Sequence, residues 1–348
     1  MRRRDFLAGV AGTAVAAAAG AAEGLAETAY VPGERSAAQP GPSPRPQTSQ
    51  PAQRLQPMAI GLIIQPANGA EDAFRRVHEL GMTNCFLSLD GYLGKMTPAL
   101  ADELNGLLQK YELIPTAAEV VRPEPLVWDF LRGPSTIGLV PRATRQARMD
   151  ALKQTSDFAK LLNIDRVQTH CGFIPEDPAD PLYEEAVAAI REVAQHCAGN
   201  GQMFLMETGQ ETPTTMSRAI KDVDQPNLGV GLDTANLILY GKANPVDAVD
   251  IIGPHVRSIH AKDGKWPTDP MKLGEEVLIG TGLVDFAKVF AKLHRLGYAG
   301  AVTIERETSG PQQIEDVRKE KVYLQRIIDK VMAGDREMAR NQGTGNRE

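Results

Sequence analysis

The stretch Met203-Phe204-Leu205-Met206-Glu207 is a short apolar run that ends on a carboxylate. After a helically spaced segment, Thr212–Lys221, the pattern returns as Leu228-Gly229-Val230-Gly231-Leu232-Asp233. Two apolar runs joined by one amphipathic helix read as a parallel βαβ unit, because a strand that is apolar throughout must be covered on both faces. The same unit recurs in both directions along the chain. Upstream, Met58–Ile64 precedes Glu71–Leu80, Thr83–Leu89 precedes Pro98–Tyr111, Leu113–Val120 precedes Ala143–Leu162, and Arg166–His170 precedes Asp180–Ala198. Downstream, Leu228–Asp233 precedes Asn244–Ile252, Val256–Ala261 precedes Val284–Leu296, and Ala301–Glu305 precedes Pro311–Met332. Eight strand–helix pairs between residues 58 and 333 predict an α/β fold, a single (β/α)8 TIM barrel. A doubly wound open sheet is the alternative, but no strand is followed at once by the G-x-G-x-x-G fingerprint.

Composition narrows the function classes. The chain has 348 residues, 42% hydrophobic and 24% charged, as in an ordinary globular protein. The formal charge of −6 leaves no basic footprint for nucleic acid or an anionic membrane. Aromatics at 5% argue against a stacking platform for single strands. Cys85, Cys171 and Cys197 are too few and too far apart for a disulfide framework or a zinc knuckle.

Residues 1–26 read as an address. Arg2-Arg3-Arg4-Asp5-Phe6-Leu7 precedes a nearly pure apolar run from Ala8 to Ala22, with a cleavage signal at Gly24-Leu25-Ala26. This is the pattern of a twin-arginine signal peptide, and the expectation is an exported, periplasmic protein. The run is too short for a good membrane span, so no stable span is expected after processing. Seven prolines between residues 27 and 57 predict an extended, disordered linker. Residues 334–348 are polar and read as a flexible tail.

The chemistry of a barrel sits at the C-terminal ends of its strands. Four successive strands here end on a metal-capable residue: Glu207, Asp233, His260 and Glu305. Any one of them alone is readily a strand-end cap or half of a salt bridge. Together they are three carboxylates beside a packed core, which repel one another unless a cation joins them. One divalent ion resolves this, and the donor set suits Mn²⁺, Co²⁺, Mg²⁺ or Zn²⁺. With no thiolate, a closed structural zinc site is not expected.

The stretches Glu207-Thr208-Gly209-Gln210-Glu211-Thr212, Gly231-Leu232-Asp233-Thr234-Ala235-Asn236, His260-Ala261-Lys262-Asp263-Gly264 and Ile304-Glu305-Arg306-Glu307 resemble the sugar phosphate isomerase/epimerase family of the xylose isomerase-like TIM-barrel superfamily. The resemblance covers roughly residues 58–330. It implies that Glu207, Asp233, His260 and Glu305 are the metal tetrad, and that Glu207 and Glu305 are the acid/base pair on opposite sides of a bound sugar. Removing a proton beside a carbonyl is made feasible by a metal that stabilises the enediolate, with one carboxylate taking the proton and the other returning it. Two positions depart from the ketose 3-epimerases of the superfamily. They carry a His three residues after the Asp, where this chain has Asn236, and an Arg six residues after the metal His, where it has Trp266. The family also includes proteins that cleave or dehydrate 3-keto-glycosides and inositols.

Further substrate-binding candidates surround the same mouth. His170 and Glu119 end two strands, and Asn236 can hydrogen-bond a hydroxyl. Lys262 and Arg306 follow two other strands and either bind hydroxyls or pair with the carboxylates, pairing being favoured for Arg306. Trp128 and Trp266 lie in long loops where an indole face can pack on a sugar. The expected function is a metal-dependent sugar isomerase or epimerase acting on a small carbohydrate. A lyase or hydratase on keto-sugars and a non-catalytic sugar-binding protein are the alternatives. The oligomeric state is not legible.

Overall fold

Eight short, buried strands form the centre of the protein, which is a computed structural model describing residues 55–344. The expected signal at 1–26 and nearly all of the linker at 27–57 lie outside the described residues. The barrel strands are β1 (Ile60–Ile64), β2 (Asn84–Ser88), β3 (Ile114–Glu119), β4 (Arg166–Thr169), β5 (Met203–Glu207), β6 (Leu228–Asp233), β7 (Val256–Ala261) and, after a small hairpin of β8 (Asp263–Lys265) and β9 (Glu275–Val277), β10 (Val302–Ile304). All eight pair in parallel, and the ring closes where β1 meets β10. The predicted (β/α)8 barrel is therefore the observed fold. Each strand falls on a predicted apolar run, and β2 and β6 are buried at every position, as a doubly covered strand requires.

The helices start on a repeated local signal. Thr97, Asp180, Thr212 and Asn244 each precede a proline, and each side chain accepts a backbone N–H of the first turn. A polar cap with Pro at the first helical position leaves fewer orphan donors and presets the dihedral. Among the described residues no helix is long and apolar enough to cross a membrane.

Three features depart from the sequence reading. The hairpin β8–β9 is new; it is polar, three residues per strand, and gives no apolar signal. Asp263 organises it, accepting backbone N–H groups from Gly264, Gly280, Gly282 and Val284. The long loop after β3 is also less free than its prolines suggest. It contains a short helical turn at Gly133–Thr136, and the buried Arg148 donates to the carbonyls of Pro123, Pro125, Thr136 and Gly138. The final helix runs from Pro311 to Thr344, past the boundary expected at residue 333. Residues 335–341 (Asp-Arg-Glu-Met-Ala-Arg-Asn) are mostly good helix formers, and a polar pattern hides that propensity.

Gly138 and Gly172 let the loops after β3 and β4 touch. Leu139 N–H donates to the Cys171 carbonyl at 2.9 Å. A Cβ on Gly138, which has φ +75°, would lie 2.1 Å from the Cys171 carbonyl carbon. Neither backbone can yield without breaking this junction. Gly138→Ala is expected to destabilise the fold by roughly 3 kcal/mol, from left-handed strain plus overpacking, read as an earlier unfolding midpoint in denaturant.

Candidate metal centre

Strands β5, β6, β7 and β10 are consecutive around the barrel, and each delivers one donor to the same end. Glu207 and Asp233 are the last residues of β5 and β6, His260 is next to last in β7, and Glu305 follows β10 directly. The register sets Asp233 opposite His260, and His260 opposite Thr303. One ligand atom from each of the four lies within 4.8 Å of all the others. Glu207, Asp233 and His260 are fully buried, while Glu305 keeps its side chain 18% exposed.

The four groups fit a cation on the evidence of their unsatisfied atoms. Asp233 Oδ2, His260 Nδ1 and Glu305 Oε2 are buried and make no hydrogen bond. His260 Nδ1 lies 3.3 Å from Glu207 Oε1 and 3.2 Å from Glu305 Oε2, close enough for charge attraction without hydrogen-bond geometry. Buried orphans cost on the order of 1–3 kcal/mol each, and three converging ones call for a shared partner. Hard oxygen donors and one imidazole suit a divalent ion.

The remaining atoms of the same groups are held by protein. Asp233 Oδ1 accepts the N–H groups of Ala235 and Asn236 at 2.8 and 2.7 Å. The Thr208 hydroxyl bonds the Asp233 backbone in both senses at 2.9 Å, locking β5 to β6. Glu207 Oε2 accepts Gln168 Nε2 at 3.2 Å and lies 3.3 Å from His170 Nε2. Asn236 Nδ2 donates to Glu207 Oε1 at 3.4 Å. Gln168 also approaches His260 Nε2 at 3.3 Å, which leaves Nδ1 as the imidazole nitrogen facing the carboxylates. Phe86 packs edge-on to the imidazole, with ring centroids 4.6 Å apart.

Electrostatics follow from this packing. Burial alone would raise Glu207, but His170 and His260 beside it bring it down to about 2. Burial likewise opposes ionisation of Glu305, and Lys262 and His260 hold it below the usual carboxylate range. Burial opposes a charged His260, yet Glu207 and Glu305 raise it well above its ordinary value. Asp233 is pushed up to about 8, chiefly by burial, against the pull of Lys262.

The other sequence candidates divide. His170 reaches Glu207 and also lies 3.2 Å from Gln210 Oε1, and Trp128 stands edge-on to it with centroids 4.9 Å apart. Glu119 closes β3 nine-tenths buried; burial and then Glu207 raise it well above the carboxylate range. Asn236 and Lys262 both contact the tetrad. Trp266 follows β8 and is 41% exposed, at the rim rather than against the tetrad. Arg306 takes carboxylate partners, the reading the sequence favours for it. Its guanidinium pairs with Glu276 at 2.7 Å and Asp316 at 2.9 Å, so its charge is taken up by the hairpin and the last helix. Sequence reasoning missed Gln168, Gln210 and Phe86. Only Gln168 carried a signal, as an amide one pleat before the strand end at His170. Gly231 gives it room, since a Cβ there would fall 2.2 Å from Gln168 Oε1.

Comparison with known proteins identifies the family of the fold. The Xylose isomerase-like TIM barrel family matches residues 74–327. A xylose isomerase domain protein from Planctomyces limnophilus is 30% identical, with a TM-score of 0.73, covering 80% of this chain and all of that one. A xylose isomerase-like TIM barrel protein from Mycobacterium smegmatis, solved in complex with magnesium, shares the fold at 18% identity and a TM-score of 0.60, covering 79% of this chain and 97% of that one. An inosose dehydratase from Geobacillus kaustophilus is 24% identical over 177 residues, 45% of this chain and 56% of that protein. The chain spans less than two thirds of the length of the curated relatives it matches. Solved structures of D-psicose 3-epimerase and of a probable 3-DHS dehydratase also share the fold. With matching strands, a candidate metal site on four neighbouring strand ends, and a family match over most of its length, this chain belongs to the xylose isomerase-like TIM barrel family.

Proposed function

We propose that the protein is a divalent-metal-dependent sugar isomerase or epimerase that moves a proton at a carbon next to a carbonyl. The observation that carries this reading is the convergence of unsatisfied ligand atoms from Asp233, His260 and Glu305, with Glu207 beside them. A bound Mn²⁺, Co²⁺, Mg²⁺ or Zn²⁺ would polarise the oxygens of the substrate carbonyl and its neighbouring hydroxyl. Glu207 and Glu305 flank the same imidazole nitrogen from two strands that are not neighbours, β5 and β10. Each presents a carboxylate oxygen beside that nitrogen, so each can accept a proton from a substrate carbon placed between them. Asn236 and His170 offer hydrogen bonds to hydroxyls, and Trp128 offers an aromatic edge. Lys262 and Arg306, the cations named at the mouth, are both engaged by carboxylates, which favours an unphosphorylated sugar. Residues 1–26 support placing this activity outside the cytoplasm.

A lyase acting on a keto-sugar by the same proton abstraction is the second reading. Glu119 favours it, as a third carboxyl that holds a proton above the usual range and could donate it to a departing hydroxyl. The dehydratase relative points the same way, and Asn236 and Trp266 depart from the 3-epimerase pattern.

Two tests follow. Purified protein should carry about one divalent ion per chain, and Asp233→Asn should lose it. Because burial pushes Asp233 up to about 8, and Glu207 and Glu305 raise His260 well above its ordinary value, ion loading should release protons. Affinity should therefore fall steadily as pH is lowered from about 8 to about 6, read by calorimetry in buffers of different ionisation heat. A wild-type protein that binds no divalent ion rejects the reading.

The second test is an NMR screen of ketoses and 3-keto-glycosides in D₂O with added metal. Solvent deuterium should appear beside the substrate carbonyl, and Glu207→Gln and Glu305→Gln should each lower its rate by about 100-fold or more. Exchange that survives in both variants rejects the acid/base pair. A product of unchanged mass identifies an isomerase or epimerase, and loss of water or an aglycone identifies a lyase. Metal and sugar binding without exchange identifies a binding protein.

A further inference from the structure

The sequence reading counts Lys262 among the substrate contacts, but its ammonium has other partners. The side chain is fully buried, with Nζ 2.5 Å from Glu307 Oε1, 3.5 Å from Glu305 Oε1 and 3.6 Å from Asp233 Oδ2. A buried ammonium costs several kcal/mol unless carboxylates surround it. Two of the three that do so belong to the tetrad. The Lys262 backbone is fixed as well: its N–H donates to Thr234 Oγ1 at 3.2 Å, and its carbonyl accepts the same hydroxyl at 2.6 Å.

The contacts divide the oxygens of each ligand. Glu305 turns Oε1 toward Lys262 and Oε2 toward His260. Asp233 gives Oδ1 to two backbone N–H groups, so Oδ2 is the oxygen left between Lys262 and the other ligands. Charge points the same way: one ammonium lies 3.6 Å or less from Asp233, Glu305 and Glu307.

We propose that Lys262 is the built-in counter-ion of the centre, a positioning residue that holds Asp233 and Glu305 together before the ion binds and aims one oxygen of each at it. This rests on the metal reading above and assigns Lys262 no contact with substrate.

The test compares thermal unfolding of the full chain in chelator and in saturating Mn²⁺. Lys262→Met keeps the stem and removes the charge. In chelator it should melt at least about 5 °C below wild type, and Mn²⁺ should recover part of that loss, the share owed to Asp233 and Glu305. The double variant Lys262→Met/Glu305→Gln, which removes one carboxylate with the ammonium, should melt above the single variant in chelator. Equal losses with and without Mn²⁺, or no recovery in the double variant, overturn the proposal. So does an unchanged melt in chelator. If the single variant does not fold, a folded double variant supports the proposal and an unfolded one overturns it. If wild-type protein binds no Mn²⁺, the metal reading fails, while the chelator comparison of single and double variants still decides the role of Lys262.

Discussion

Three carboxylates and an imidazole within 4.8 Å, at the end of a packed barrel, are the constraint on which the rest of the structure depends. Such a cluster cannot be buried for its own sake, because each carboxylate resists desolvation and repels the next. The solution here is a division of labour within each group. Asp233 gives one oxygen to backbone amides and leaves the other unsatisfied. Glu305 gives one to Lys262 and presents the other to the cluster. Glu207 is steadied by Gln168, His170 and Asn236. The unsatisfied atoms all face inward, and that is why the arrangement reads as a cation site rather than a web of salt bridges.

The barrel makes this affordable by fixing the donors on rigid strands. Neighbouring strands in register place Asp233 beside His260, and the Thr208 hydroxyl ties the ends of β5 and β6. Small inward residues matter as much as the ligands, since Gly231 leaves the volume that Gln168 fills. Ligands on strands hold their separation more closely than ligands on loops, which is the precision that proton transfer between two flanking carboxylates needs.

How much of this was legible in the sequence follows from the range of each interaction. Apolar runs and helical spacing are local, and they located all eight barrel strands. The four strand-end residues were legible because the fold turns a linear pattern into a ring: equivalent positions on successive strands must meet. The role of Lys262 was not, because its nearest carboxylate, Glu307, is 45 residues away and meets it only when β7 and β10 pair. Arg306 shows the same limit. Pairing with a carboxylate is the favoured reading of a cation beside a metal ligand, but its partners, Glu276 of the hairpin and Asp316 of the last helix, are 30 and 10 residues away and meet it only in the folded barrel. The hairpin itself is held by Asp263, whose side chain gathers amides up to 21 residues on, and no periodicity announces such a device.

Two walls of the mouth are built on opposite charges by one principle. Irregular backbone must find partners for its polar groups, and neither helix nor sheet supplies them there. After β3 the lone donor set of Arg148 satisfies four carbonyls, and Trp128 is held in that same loop. After β7 the lone acceptor set of Asp263 satisfies four amides, and Trp266 is held in that hairpin. A buried cation orders one loop and a buried anion the other, without either touching the tetrad. The shape of the mouth can thus vary independently of the chemistry beneath it. In a barrel of this kind the loops that follow the strands can change while the strand ends keep their ligands, so the two pinned loops and the indoles they carry are where a difference in the mouth would be built.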